Sequence, residues 1–421
     1  MTARLRAALP ALHHRDFALL FSGQAISVIG DALFPVALAF AVLELSGSPS
    51  SLGLVLAAQA LPLAAFALVG GVVGDRVSRQ RLMLASDLAR AATQALAATL
   101  LITGVAEIWH LAVLAGVYGA AEAFFRPAAG GLIPRLVPDE HLLQANSLIA
   151  MSQSLGMVLG PAIAGVLIAL FGPGSAIAID AASFIVSAGC LALMFPRPGA
   201  RVDTSGETGA AFLEQLREGW REVTSRVWLR SFLGVLGAYH LIALPCVLAL
   251  GPIVAERELD GASSWAVIVA MFGIGSIIGA AVGLRAGPRR PMLACAVAFL
   301  GAACQPAIIA GAGSTLAIGA FELLAGICVA FGFTVWETTL GREIPAASLS
   351  RVTSFDWFTS VGLMPLGYAL VGPLADAVGL DTAMFAATAI VASLAVASLL
   401  VRDIRSFEGG HPNLRTPASS M

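Results

Sequence analysis

Asp31, Glu122, His240 and Glu322 each interrupt a long run of apolar residues. A titratable side chain is costly to keep in such surroundings, so its presence points to a task. Its elementary chemistry is to bind a proton in one setting, release it in another, and offer charge to a polar solute. Asp31 and Glu122 stand about midway along their runs, and His240 is eleven residues into its own. Glu322 lies toward one end, where facing water is the simple alternative. Arg126, one helical turn beyond Glu122, is placed to pair with it. Asp87, Arg90, Glu337 and Asp356 fall near the ends of their runs, where pairing with loop charges is expected. Asp180 receives no assignment.

Those runs are long enough to be membrane spans. Hydrophobic residues make up 58% of the 421 residues and charged residues only 12%, against roughly 25% charged in a soluble domain. Such a chain cannot cover itself with charge in water. At roughly 20 apolar residues per crossing, twelve spans are predicted: 17–45, 51–74, 82–105, 109–130, 142–170 and 176–195, then 229–254, 264–284, 291–311, 314–338, 352–378 and 380–401. Residues 1–16 form a cytoplasmic N-terminus, 17–195 the first six-helix bundle, 196–228 a cytoplasmic linker, 229–402 the second bundle, and 403–421 a cytoplasmic tail. The opening segment has no short apolar core with a cleavage site, so no cleaved signal peptide is expected.

Arginine sets the orientation. Lysine is absent, and with the N-terminus inside, 23 of the 24 arginines fall in or beside cytoplasmic segments, Arg257 being the exception. That asymmetry is a strong positive-inside signal. In the linker, Phe212, Leu216, Trp220, Val223 and Val227 form one apolar stripe, which predicts a helix on the inner membrane surface. Cys190, Cys246, Cys295, Cys304 and Cys328 all lie in apolar runs without paired spacing, so neither a disulfide framework nor a metal site is expected. The arginine-only basic set and the Ala- and Gly-rich composition point to a bacterial source and hence its inner membrane.

The halves repeat. A shift of 209 residues places Gly70–Leu84 over Gly279–Leu293 with seven of fifteen residues identical. Leu284 stands opposite Asp75, so the acid belongs to the first half alone. The stretch "GGVVGDRVSRQR" carries Gly71, Asp75, Arg76 and Arg79 in the pattern G-x-x-x-D-R-x-x-R and resembles the loop signature of the major facilitator superfamily, with Ser78 in place of the usual Gly. In span 5, "GMVLGPAIAG" places Gly156, Gly160, Pro161 and Gly165 in a pattern similar to the antiporter signature of that superfamily's exporters. Glycines let a neighbouring helix approach closely, and Pro161 removes a backbone donor. "FFRPAAGGLIPRLVPDEHLLQANSL" and "TVWETTLGREIPAASLSRVTSFDW" resemble the branch containing macrolide-efflux and enterobactin-export proteins.

The resemblance implies an all-α membrane protein of two pseudo-symmetric six-helix bundles. It implies that spans 1, 4, 7 and 10 line a central cavity, which makes Asp31, Glu122, His240 and Glu322 candidates for proton coupling or substrate binding. It also implies that Asp75 caps a helix near the start of span 11 and tethers the halves. The function it implies is secondary active export of amphipathic small molecules, driven by proton entry, by a monomer. Import or facilitated diffusion, and a non-transporting scaffold, are the competing readings. No H-E-x-x-H or G-x-S-x-G motif is present, and without lysine there is no phosphate-loop lysine. No enzymatic activity, cofactor or nucleic-acid partner is therefore expected.

Overall fold

The computed structural model describes residues 9–195, 217, 219–311 and 313–408, with the side chains of 67–76, 346, 347 and 350 outside that description. Among the described residues there are twelve long helical segments and no strand. The first half contains α1 (Arg15–Ser46), α2 (Pro49–Arg76), α3 (Arg79–Ile102), α4 (Ile108–Leu132), α5 (Asp139–Phe171) and α6 (Pro173–Ala192). The second contains α7 (Val227–Glu258), α8 (Ala262–Ala286), α9 (Pro291–Gly311), α10 (Thr315–Glu343), α11 and α12 (Leu380–Leu400). Helix α11 runs from Ala346–Trp357 through a π turn at Phe358–Gly362 into Met364–Val378. A second π turn, Tyr239–Ala243, interrupts α7.

Eleven of these segments are long and apolar enough to cross a membrane. The twelfth, α3, is less apolar because it carries Arg79, Arg81, Asp87, Arg90 and Gln94. It packs against α4 and α6 and turns Asp87, Arg90 and Gln94 into the bundle, while Leu88, Leu96 and Ile102 stay exposed on its other face. The turn expected at 75–81 is shorter than the charge pattern suggests. Helix α2 continues to Arg76 and α3 begins at Arg79, leaving only Val77 and Ser78 between them. Of the predicted linker helix, 212–216 lie outside the described residues. In its visible end Val223 is buried, whereas Trp220 is exposed beside Phe355.

Two helix pairs make most of the contact between the halves, α2 with α11 and α5 with α8. Small residues make both contacts possible. A methyl group on Gly53 of α2 would come 2.5 Å from the Tyr368 carbonyl oxygen, and one on Gly372 of α11 would come 2.5 Å from the Pro49 carbonyl oxygen. Ser50 of α2 donates a hydrogen bond to Asp376 of α11 at the same place. On the other side, Gly165 of α5 faces Ala262 and Ala266 of α8, and Gly273 of α8 lies against Met157 of α5.

The apolar cores divide unequally. At the arginine-poor end one cluster runs through both halves, including Phe40, Leu43, Leu52 and Ile168 from the first and Leu250, Val254, Trp265 and Val371 from the second. At the arginine-rich end there are two separate clusters. One contains Phe17, Met83, Ile133 and Leu191 of the first half only. The other contains Trp228, Phe232, Trp336 and Ile404 of the second half only. The halves are therefore sealed together at the arginine-poor end and part from each other toward the opposite end.

Candidate functional site

The first half buries a connected charge cluster built on four helices. Asp31 comes from α1, Asp87, Arg90 and Gln94 from α3, Tyr118 from α4 and Asp180 from α6. Arg90 is the hub. Its Nη2 lies 2.5 Å from Asp87 Oδ1, and its Nη1 lies 3.5 Å from Asp31 Oδ2. Asp87 is fully buried and Arg90 is 2% exposed, whereas the Asp31 side chain is 34% exposed. The guanidinium carbon also sits 4.2 Å from the Phe184 ring centroid and 4.5 Å from that of Phe125, within cation–π range. Tyr118 donates its hydroxyl to Asp31. Gln94 donates to Asp180 at 2.6 Å, and Ser183 donates to the Asp180 backbone carbonyl at 2.8 Å.

One guanidinium thus serves two acids on unequal terms. The close pair with Asp87 is sealed from solvent, and removing Arg90 would strand the buried Asp87 charge. The looser pair with Asp31 leaves that carboxylate with a solvent-reachable edge. Close packing fixes where it stands. A methyl group on Gly30, next to Asp31, would come 2.2 Å from Ser183 Oγ, and Gly160 of α5 leaves room for Ala32. The α5 glycines that resemble an exporter signature therefore seat α1: Gly156 against Val28, Gly160 against Ala32. Gly165 faces α8 instead, and Pro161 is buried within α5.

Glu122 stands one turn beyond Tyr118 on α4 and pairs with Arg126, Nη2 to Oε1 at 2.7 Å and Nε to Oε1 at 3.0 Å. Arg126 is 78% exposed and Glu122 14%, so the pair has one open and one enclosed member. Nearby in sequence, Phe124 of α4 stacks on Phe66 of α2, with ring centroids 6.1 Å apart.

In the second half the candidates are more deeply enclosed. Glu322 does not face water, as its place along the chain allowed. It is 2% exposed. Tyr239 donates to Gln305 at 2.8 Å, and Gln305 donates to Glu322 at 2.7 Å. The second Glu322 oxygen, Oε1, is buried with no hydrogen-bond partner among the described residues. His240 lies in the π turn of α7, is 7% exposed and donates from Nδ1 to the Leu236 carbonyl at 2.9 Å. The structure does not bring His240 or Glu322 into the Asp31 cluster through any contact among the described residues. Trp336, on the arginine-rich half of α10, is fully buried and donates to Asp356 at 2.8 Å.

The side chains of Gly71, Asp75 and Arg76 lie outside the described residues, so the tether implied for Asp75 has no geometry here. Arg79 donates to the Gly131 carbonyl, tying the start of α3 to the end of α4.

The sequence alone puts Asp87 and Arg90 with loop charges and gives Asp180 no role. The structure places all three in the buried cluster. A signal is present in the chain. Asp87, Arg90 and Gln94 recur at spacings of three and four in an otherwise small and apolar span, which puts them on one helix face. Asp180, Ser183 and Ser187 repeat the pattern on α6.

Comparison with known proteins fits this architecture. The chain is 25% identical to macrolide efflux protein A of Streptococcus pyogenes, over 93% of this chain and 97% of that one. It is 28% identical to the multidrug efflux pump Tap of Mycolicibacterium fortuitum, over 93% and 96% respectively. Among solved structures it resembles the nucleoside transporter NupG with a TM-score of 0.70, 15% identity and coverage of 91% of this chain and 98% of that one. It also resembles a bacterial homologue of the human lysosomal transporter Spinster, solved inward-facing and unoccupied, with a TM-score of 0.66, 17% identity and coverage of 91% and 97%. The family model of the Major Facilitator Superfamily matches residues 20–355. With its twelve helices in two bundles and its efflux-named relatives, the chain is a multi-pass membrane transporter belonging to the Major Facilitator Superfamily.

Proposed function

We propose that the protein exports amphipathic small molecules in exchange for protons, by alternating access between its two halves. The observation that carries this reading is the unequal sharing of Arg90. Asp31 keeps a solvent-reachable edge while a buried guanidinium stands 3.5 Å behind it. A carboxylate so placed can bind either a proton or a solute, and the two compete for one charge. Competition at one site is the simplest way to make outward movement of a solute depend on inward movement of a proton. Glu122, with its exposed partner Arg126, is the second coupling candidate. His240 and Glu322 are the candidates in the second half.

The relatives named for efflux support the direction of transport. The orientation proposed is that both termini are cytoplasmic in a bacterial inner membrane, on the strength of the arginine asymmetry. On that orientation the sealed end faces outward and the divided end faces the cytoplasm, which is a loading state for an exporter. Reporter fusions after Ser48 and Gly261 are expected to lie outside, and fusions after Gln80 and Gly206 inside. An inside signal at Gly261 would contradict the orientation.

Transport is tested in inverted membrane vesicles energised to an acidic interior. A panel of lipophilic drugs and catecholate siderophores is added while internal pH and solute uptake are followed. The reading expects at least one compound to accumulate inside and to discharge the proton gradient as it does so. Uptake that stops at equilibrium and ignores the gradient would indicate facilitated diffusion. Movement of solute and proton in the same direction would indicate an importer.

A further inference from the structure

A groove at the arginine-rich end of the second half lies apart from the site described above. It opens between α8, α9 and α10, with a volume of about 830 Å³. Val282 of α8, Leu293 and Val297 of α9, and Ile327 and Phe331 of α10 supply an apolar lining. Arg289 and Arg290 stand at its mouth, in the turn that joins α8 to α9. Both are exposed, and neither makes an ion pair among the described residues. Glu408 lies on the same rim without pairing to either.

The groove has a polarity that follows the membrane. The arginines mark the water-facing end of the helices. From Pro291 to Val297 the wall of α9 descends about 9 Å, close to a third of a hydrocarbon core of roughly 30 Å. Val282, Leu284 and Val297 are exposed on the outside of the bundle, so the groove is entered from lipid as well as from the aqueous side. Its volume falls within the roughly 300–1,000 Å³ of small-molecule sites. A ligand fitted to this shape has an anionic group at the arginines and a flexible apolar body below it. Basic pockets between transmembrane helices recognise lipid headgroups in this way.

We propose that this groove binds an anionic glycerophospholipid, with the headgroup phosphate on Arg289 and Arg290 and an acyl chain along Leu293, Val297 and Phe331. The chain's own tail is the rival occupant, because it leaves the fold at this rim, where Phe407 packs on Trp228 at 5.0 Å. Its sequence, "GGHPNLRTPASSM", fits poorly. Leu414 and Met421 are its only large apolar residues, and Arg415 brings a charge of the same sign as the groove mouth.

The site also touches the moving parts. Helix α8 meets α10 through Gly275 and Gly279, whose missing side chains admit the carbonyls of Leu323 and Ile327, and it meets the first half through Gly273. A lipid wedged beside Ile327 therefore presses on the helix that joins the two halves.

The experiment uses the full chain, purified in detergent and stripped of lipid. Retention of phosphatidylglycerol and of phosphatidylcholine with identical acyl chains is compared by native mass spectrometry. Wild type is expected to retain phosphatidylglycerol about tenfold better. Arg289→Gln with Arg290→Gln should erase that preference and leave the weaker retention common to both lipids. Val297→Trp, which fills the groove from an exposed position, should lower retention of both. Equal retention by wild type, or an unchanged preference in the double arginine variant, would overturn the proposal. Displacement of the lipid by sn-glycerol 3-phosphate alone would show a soluble-anion site instead. A preference that emerges only when residues 409–421 are removed would assign the groove to the tail.

Discussion

Asp31→Asn is expected to reduce substrate-driven proton movement to background in sealed vesicles while the protein still reaches the membrane. The fold should survive because the asparagine carbonyl still accepts from Tyr118, and Arg90 keeps its closer partner Asp87 at 2.5 Å. What disappears is the carboxylate proposed to exchange its counter-charge. Glu122→Gln is the parallel test on α4. It breaks a pair whose arginine is 78% exposed, and an exposed pair contributes only about 0–1 kcal/mol, so its effect should also be on coupling and not on stability. Loss of proton movement at one position alone would name the coupling residue and leave the other a binding or structural role. Normal substrate-dependent flux in both variants would remove both acids from the mechanism and make His240 the next candidate. Asp87→Asn is the instructive contrast. It leaves a guanidinium that is 2% exposed with only the looser Asp31 carboxylate at 3.5 Å, and breaking a buried pair costs about 3–5 kcal/mol. A lowered unfolding temperature is expected there before any statement about coupling can be made.

The second large effect is conformational. Gly372→Val places a branched side chain where a single methyl group already comes 2.5 Å from the Pro49 carbonyl oxygen and 2.5 Å from Ser50 Cα. Both neighbours are backbone, so relief requires α2 and α11 to separate. Overpacking of this kind costs about 1–3 kcal/mol. That cost falls only on the state in which the two helices touch at the arginine-poor end. A bias of about 1.4 kcal/mol is tenfold in population. A single cysteine introduced near Ser48 should therefore react about tenfold faster with an impermeant thiol reagent applied to that side. Gly53→Val, on the opposite helix against the Tyr368 carbonyl, should act alike. Unchanged reactivity in both variants would mean that this contact does not hold the end closed.

The chain shows its fold plainly and its site partially, and the difference has a physical cause. Span number and alternation depend on summed apolarity and on where arginine sits, and both are properties of long windows. Even α3, the least apolar segment, is recognisable by the arginine-rich turn at its start. The buried cluster depends instead on which way each helix is rotated about its axis. Asp31 and Glu122 stand out because each sits midway along its run. Asp87 and Arg90 are misread when distance from the end of a span is taken as depth in the protein. Both are shielded by α6, which no reading of α3 alone can supply. The water-facing alternative for Glu322 fails for a similar reason. Its partner Gln305 begins the second piece of α9, just past the break at Cys304, and only packing brings it beside α10. The glycines of α5 are legible as small residues, but their division of labour is not. Gly156 and Gly160 seat α1, whereas Gly165 faces the other half.

The unequal division of the apolar cores also bears on how the chain is made. A ribosome releases the first half before the second exists. The cluster around Phe17, Met83 and Leu191 draws on residues of that half alone, so it can consolidate while synthesis continues. The cluster around Phe232 and Trp336 is equally self-sufficient once its own helices are inserted. The shared cluster has no such independence: Phe40 and Leu43 must wait for Leu250, Val254 and Val371. Assembly therefore ends at the same seam that parts in the proposed transport cycle, so the last contacts acquired during biogenesis would be the first surrendered at work.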